Sequence, residues 1–326
     1  MGDGLQQRLP RIAGLVTVLS PAGAEAEAVA RLAWAMFAGA LVVWLLVFGA
    51  AWWAGSRRSQ PRSERSGRRI ARWLVVGGGM VAPTLLLGAL LVYGLLLMPR
   101  LREPPPPGAD LEVAVTGEQF WWRVRYLRPG QPPIELANEL RLPVGERIRL
   151  RLDSPDVIHS LWIPALAGKV DMIPGRTTTL VMEPTRTGVF AGACAEFCGT
   201  SHAFMRFEAV VTDRADFQSW LEAQAAPAAT PSGAAAERGH AAFIGNGCGA
   251  CHSIRGTTAG GRLGPDLTHV GSRRTLAAGT LANDVDGFRR WITRTHAVKP
   301  DALMPEFDML PAADVEAIAI YLDGLE

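Results

Sequence analysis

Residues 32–55 and 73–98 contain no charged side chain. At 1.5 Å rise per residue, each stretch spans roughly 36–39 Å as a helix, enough to cross a ~30 Å hydrocarbon core. Buried helices of soluble proteins seldom run so long without charge, so the pattern predicts a transmembrane pair. Trp34, Trp44, Trp52, Trp53 and Trp73 lie on these stretches, suited to the headgroup level. Pro83 and the Gly77, Gly78, Gly79 run fall inside the second, where another subunit can pack closely. After four prolines at 104–107, a stiff spacer, the period changes to two. Residues 111–115 and 147–152 alternate, and 177–182 and 204–211 are rich in β-branched and apolar side chains, with Pro and Gly clusters between them. About seven short strands over ~105 residues predict a β-sandwich or Greek-key barrel. Residues 222–235, EAQAAPAATPSGAA, read as a flexible linker. Near the end, Val315, Ile318, Ala319 and Leu322 recur at helical spacing.

Charge orients this arrangement. Between the apolar stretches lie Arg57, Arg58, Arg62, Arg65, Arg68, Arg69 and Arg72 against one acid, Glu64. That excess places the connection on the cytoplasmic side, so everything after Met98 faces the periplasm or the outer surface of a bacterial plasma membrane. Residues 8–24, an Arg-flanked apolar run followed by PAGAEA, read as a short cleaved signal peptide, with an uncleaved periplasmic tail as the alternative. The length of 326 residues suggests two or three domains, and the net charge of +2 argues against a nucleic-acid partner.

The chain has four cysteines, in two close pairs: Cys194 with Cys198, and Cys248 with Cys251. Neither spacing suits a disulfide scaffold in so long a chain, and each pair has a histidine beside it. The segment CAEFCGTSHAFM, residues 194–205, gathers two thiols, an imidazole and a thioether. Soft sulfur and imidazole donors select copper or zinc. A closed zinc site wants four Cys or His ligands, and Met205 is a poor zinc ligand but a good copper one. A mononuclear blue-copper site uses one Cys. Two thiolates bridging two copper ions would account for the second, and His159 in DVIHSLWIP would supply the further imidazole.

DVIHSLWIPALAGKVDMIPG, residues 156–175, together with CAEFCGTSHAFM resembles the copper A domain of cytochrome c oxidase subunit II, and the resemblance covers residues ~25–215, the apolar pair included. It implies a cupredoxin-like fold with His159 and His202 as imidazole ligands, Cys194 and Cys198 as bridging thiolates and Met205 as thioether. Glu196 would offer its backbone carbonyl to copper and its carboxylate to a magnesium ion shared with the catalytic subunit. Two positions depart from the family. Its G-H-Q-W-Y-W run, whose first tryptophan receives electrons, is here GEQFWW, residues 117–122, so Phe120 replaces that tryptophan. The route from a free soluble cytochrome c is thereby put in doubt, and Trp121 and Trp122 become alternatives, ordinary core packing being as good a reading of either. The second helix lacks the family's Glu before its first Trp, since Arg69 and Arg72 precede Trp73, and no proton-channel role is expected.

Beyond the linker, NGCGACHSIRG carries C-x-x-C-H at Cys248, Cys251 and His252, the haem c attachment signature. A thioredoxin-like reading would need a βαβ context, and none is visible. Met304 in ALMPEFDML is the expected sixth iron ligand, with Met309 as its rival; Met/His ligation raises the haem potential. GPDLTHV, residues 264–270, resembles the loop that packs against the proximal histidine, pointing to Pro265, and 236–326 as a whole looks like a class I cytochrome c domain. His240, His269 and His296 match no motif position and read as surface or packing residues. The expected organisation is therefore a multidomain membrane protein: an N-terminal tail or signal peptide (1–28), a transmembrane helix hairpin (29–100), an all-β cupredoxin-like copper A domain (108–221), a linker (222–235) and an all-α class I cytochrome c domain (236–326).

The resemblance extends to caa3-type oxidases, which carry a fused cytochrome. It implies an electron-transfer subunit that passes electrons from its own haem c to dinuclear copper and on to the oxygen-reducing subunit I. Partners would be that catalytic subunit, other oxidase subunits, and an upstream donor, either cytochrome c or a bc1-type complex. Six histidines and two helices are too few for the oxygen-reducing site itself. Two alternatives remain: a copper A subunit of a nitric oxide reductase, and a copper-delivery protein, which would need neither the Met nor the haem motif.

Overall fold

The structure, a computed structural model, describes residues 19–56, 64–102 and 111–326. Arg57, Arg58, Arg62, the prolines at 104–107 and most of the apolar run at 8–24 lie outside the described residues. The chain divides into two units, residues 28–103 and the remainder.

The first unit is helical. Helix α1 (Ala24–Ser56) is followed by α2 (Glu64–Arg72), which runs through a π-helical stretch, Trp73–Val81, into α3 (Ala82–Arg102). Pro83 lacks an amide hydrogen, and the helical ladder widens just before it. Thr84 Oγ1 donates to the Met80 carbonyl (2.7 Å) at that point. Both helical runs are long and apolar enough to cross a membrane. Their large side chains, among them Phe37, Leu46, Trp52, Leu74, Leu85 and Leu96, are exposed, as on a helix whose apolar surface needs lipid or a partner to cover it. Arg65, Arg68, Arg69 and Arg72 lie on α2, Arg68 pairing with Glu64 (2.6 Å).

In the second unit, residues 111–212 form ten strands among the described residues. These are β1 (Glu112–Glu118), β2 (Trp121–Leu127), β3 (Ile134–Ala137), β4 (Glu139–Pro143), β5 (Ile148–Asp153), β6 (His159–Trp162), β7 (Val170–Met172), β8 (Thr178–Met182), β9 (Gly188–Cys194) and β10 (Arg206–Thr212). They make two five-stranded sheets, ordered β3-β2-β1-β5-β8 and β4-β10-β9-β6-β7. β1 pairs parallel with β5 and β4 with β10; the remaining neighbours are antiparallel. Alternate side chains point inward, so Val115, Val124, Leu150 and Leu152 share one core with Leu140, Leu161 and Phe207. This is the expected cupredoxin-like sandwich. The count of about seven strands was low because β3, β4, β6 and β7 have only three to five residues each, too few to show a period. His159 opens β6.

Residues 21–26 are built into this domain. Ala22 N–H donates to the Ala165 carbonyl (2.7 Å), and the Ala22 carbonyl accepts from Thr185 N–H (2.7 Å). Glu25 pairs with Arg147 (3.2 Å) and accepts from the Glu183 N–H. Helix α4 (Arg214–Ala225) closes one end, packing Phe217 and Trp220 against Tyr126.

Residues 234–326 form a small, mostly helical domain with a separate core: α5 (Ala234–Gly245), the short pair β11 (Thr275–Leu276) and β12 (Leu281–Ala282), α6 (Val285–Thr293), α7 (Thr295–Val298) and α8 (Ala312–Asp323). Val315, Ile318, Ala319 and Leu322 of α8 are all buried, as their spacing predicts. α5 crosses α8 at Gly239, where a Cβ would come within 2.0 Å of the Ala317 carbonyl oxygen. The connecting stretch 222–235 is not the free linker its composition suggests. Its first four residues finish α4, and Arg255 donates to the Gln224 and Ala226 carbonyls (2.6 and 3.3 Å). His269 bridges the Ala226 and Glu326 carbonyls, His240 meets Tyr321 edge-on, and His296 bonds the Ala302 carbonyl. His269 and His240 are thus packing residues, and His296 lies at the surface.

Candidate functional site

The 194–205 segment leaves β9 at Cys194 and returns through a 3-10 turn, His202–Phe204, into β10. Strand β6 lies beside β9, pairing Leu161 with Cys194, which brings His159 against the same loop. The ligand atoms of His159, Cys194 and Cys198 all lie within 4.8 Å of one another. Cys194 Sγ is 3.8 Å from His159 Nδ1 and 3.2 Å from the Glu196 carbonyl oxygen. Cys198 Sγ is 3.6 Å from His202 Nδ1 and 3.8 Å from Met205 Sδ. All six expected ligand residues therefore converge, the two sulfurs between two imidazoles, with the thioether and the carbonyl at opposite ends. This soft donor set, with two thiols shared at its centre, fits a pair of copper ions better than a closed tetrahedral zinc site.

The electrostatics match that purpose. The Cys194 thiol is held down to about 4, first by its bond from Cys198 and then by His159, against the opposing effect of burial. The Cys198 thiol is pushed up by the neighbouring thiolate it donates to and by burial. Without a cation, then, only one of the two carries charge, whereas metal ions would favour both thiolates. Burial lowers the basicity of His159, but its bonds to Asp156 and Cys194 outweigh that and raise its pKa to about 9. Asp156 accepts from His159 Nε2 (2.9 Å), which turns Nδ1 toward the sulfurs. A carboxylate behind a ligating histidine fixes ring orientation and raises ligand basicity.

Glu196 presents its carboxylate away from this cluster, 3.8 Å from Lys169 Nζ. Among the described residues the Glu196 carboxylate belongs to no group of three or more acids, histidines or cysteines at metal-binding range.

The second site is a cavity of about 330 Å³. Cys248, Cys251, His252 and Met304 line it, together with apolar side chains including Leu267, Phe288, Ile292 and Leu322. His252 Nδ1 donates to the Pro265 carbonyl (2.9 Å), leaving Nε2 as the unprotonated nitrogen suited to iron. Burial lowers the His252 pKa and keeps the ring neutral. Gly264 permits this contact, since a Cβ there would sit 2.4 Å from His252 Cε1. Met304 lies on the cavity wall, while Met309 is 72 % exposed and away from it. An apolar cavity with two thiols, an imidazole and a thioether on its wall fits a covalently attached haem.

The aromatic run divides. Phe120 and Trp121 line the cavity, but Trp122 is buried in the sandwich, 6.2 Å from the His159 ring and 5.7 Å from Phe207. Three further residues matter that the sequence did not single out. They are Asp156, three residues before His159; Gln119, whose Nε2 donates to the Cys198 carbonyl (2.6 Å); and Lys299, whose Nζ donates to the Phe120 carbonyl (2.7 Å). The D-x-x-H spacing was a legible signal for the first, whereas nothing in the sequence marks Lys299.

Residues 125–212 match the family described as "Cytochrome C oxidase subunit II, periplasmic domain", and 236–326 match "Cytochrome c". A cytochrome c oxidase subunit 2 of Alkalihalophilus pseudofirmus is 36% identical over 227 residues, 69% of this chain and 65% of that protein. The corresponding protein of Bacillus sp. is 32% identical over 225 residues, 66% of this chain and 62% of its own length. The matched region thus spans just under two thirds of these relatives. A crystal structure of the periplasmic domain of subunit II of the Bradyrhizobium japonicum cytochrome oxidase is 34% identical; the match covers 36% of this chain and 96% of that one, with a TM-score of 0.34.

Proposed function

The chain belongs to the cytochrome c oxidase subunit II family, with a cytochrome c domain fused behind its β-sandwich, and from that premise we propose that it is the electron-transfer subunit of a membrane-bound terminal oxidase. The observation that carries this reading is the convergence of six donor residues, two of them buried thiols, beside a second, largely apolar cavity lined by Cys248, Cys251, His252 and Met304. With copper A and haem c bound, these centres would supply one-electron steps from the iron to the copper pair and on to a catalytic subunit I that reduces oxygen to water.

The chain's own residues prepare the centres. Asp156 orients His159, the two thiols draw together, and Pro265 sets the tautomer of His252. Cys248 and Cys251 would hold haem c covalently, and His252 and Met304 would bind its iron. His159, Cys194, Cys198, His202, Met205 and the Glu196 carbonyl would hold copper, and the Glu196 carboxylate would reach a magnesium ion completed by subunit I. The two apolar helices would anchor the chain in the plasma membrane with both metal domains on the periplasmic side. Other oxidase subunits would complete the assembly, fed by a cytochrome c or a bc1-type complex.

The test is purification of the intact membrane complex, with metal and haem counted per chain and oxygen and nitric oxide supplied in parallel. Two coppers with near-infrared mixed-valence absorption, one haem c and oxygen consumption abolished by Cys194→Ser are expected. Zinc or a single copper would overturn the reading, and turnover of nitric oxide alone would assign the chain to a nitric oxide reductase.

A further inference from the structure

Three short segments meet where the sandwich and the cytochrome domain touch: residues 119–121, the copper loop at 198–201, and residues 299–300. Lys299 is 3 % exposed, and its Nζ donates to the Phe120 carbonyl of the other domain (2.7 Å). Among the described residues no carboxylate pairs with it. A cation buried against one carbonyl is costly within any single domain's core. Its placement makes sense as a contact between domains, because its acceptor belongs to the sandwich. Beside it, Ser201 Oγ donates to the Pro300 carbonyl.

The segment that Lys299 grips leads to both sides of the copper site. Gln119 Nε2 donates to the Cys198 carbonyl (2.6 Å). Gln119 N–H donates to Asp156 Oδ2 (2.7 Å), and the other oxygen of that carboxylate holds His159 Nε2 (2.9 Å). The approach is tight. A Cβ at Gly199 would lie 3.0 Å from both the Gln119 amide nitrogen and the Phe120 ring. On its other side, Phe120 shares the cavity wall with Cys251, His252 and Met304.

Resting on the reading above, we infer that Lys299 latches the cytochrome domain onto the sandwich, and that Phe120, which it grips, together with its neighbour Gln119 forms the bonded bridge from the haem cavity to Cys198 and His159. Lys299 borders the haem cavity and supplies none of the expected iron or copper ligands; it is a positioning residue that fixes the contact across which one electron passes. No bond is made or broken in that step, and no proton moves.

The experiment uses the full chain, loaded with haem and copper, carrying Lys299→Met. Amide hydrogen exchange is read on peptides covering 117–122 and 198–203. Haem-to-copper transfer is timed after flash reduction of the haem. Faster exchange in both peptides is expected, with transfer slowed at least about tenfold while haem content and near-infrared copper absorption stay at the wild-type level. Unchanged exchange would overturn the latch, as would loss of haem or copper, since that would place Lys299 in the fold of one domain. In a second variant, Gln119→Leu, transfer should slow while exchange near residue 299 stays at the wild-type level; full-rate transfer would overturn the bridge. A wild-type chain without paired-copper absorption would instead sink the functional reading, and the exchange comparison would still report on the latch.

Discussion

Asp156 shows what single residues contribute beyond the ligand set. Its carboxylate accepts from His159 Nε2, the Gln119 N–H and the Val157 N–H; burial alone would raise its pKa, but these bonds prevail and hold it near 2. It therefore stays charged throughout the physiological range and keeps His159 Nδ1 directed at the sulfurs. Asp156→Asn keeps the shape and removes the charge. Copper affinity is expected to fall about 10–100-fold, measured by competition with a chelator, with the near-infrared band weakened in proportion to copper lost. Gly199 is the second such position. Its φ of +128° is unfavourable for any side chain, and a Cβ would press on Gln119 and Phe120. Gly199→Ala is expected to destabilise the sandwich by about 1–3 kcal/mol, read from denaturant unfolding of the apoprotein. The six ligands were legible because close spacing and unusual donor chemistry mark them in the sequence. Gln119 and Lys299 were not, because a glutamine or lysine acquires such a role only when the fold brings a distant carbonyl to it.

Among the elements, length and periodicity governed what could be read. β1, β5, β8 and β10 have five to seven residues and stand out, the first two by alternation in sequence and the last two by their β-branched and apolar side chains. The parallel pairings β1–β5 and β4–β10 left no local trace, since each joins strands distant in sequence. Helix α4 was hidden for a different reason: its last turn is the alanine- and glutamine-containing start of the stretch that composition assigned to a linker. One side chain ties these elements together. Tyr126 of β2 donates from its hydroxyl to the Arg141 carbonyl (2.9 Å) and accepts the Arg141 N–H (2.7 Å) on β4 of the other sheet, while its ring packs on Phe217 and Trp220 of α4. Tyr126→Phe keeps the packing but strands two backbone groups in a buried place. A loss of about 1–3 kcal/mol is expected, with the copper absorption of the folded protein unchanged.

For the whole molecule, two separate hydrophobic cores joined by polar contacts imply that the domains fold independently and dock afterwards. Arg274 donates to Glu139 and Glu208, and Arg123, stacked on Trp121, reaches the Arg262 carbonyl. A chain lacking residues 236–326 is expected to keep its copper absorption and to oxidise external donors more slowly than the full chain. Undiminished turnover with soluble cytochrome c would show that the fused domain is dispensable as donor.

Docking should also depend on pH, through Lys299. Burial lowers its pKa to about 7 from an ordinary 10.5. Released into water, the amine regains its proton over that whole interval. Between pH 7 and 10.5 undocking therefore takes up a proton, and docking strengthens as pH rises through this window. Below pH 7 both states carry the proton, and this group contributes no further dependence. Exchange protection of the 117–122 peptide, corrected for intrinsic amide rates, should accordingly increase from pH 7 to 9 in the wild type and lose that slope in Lys299→Met. A slope that survives the substitution would assign the titration to another group.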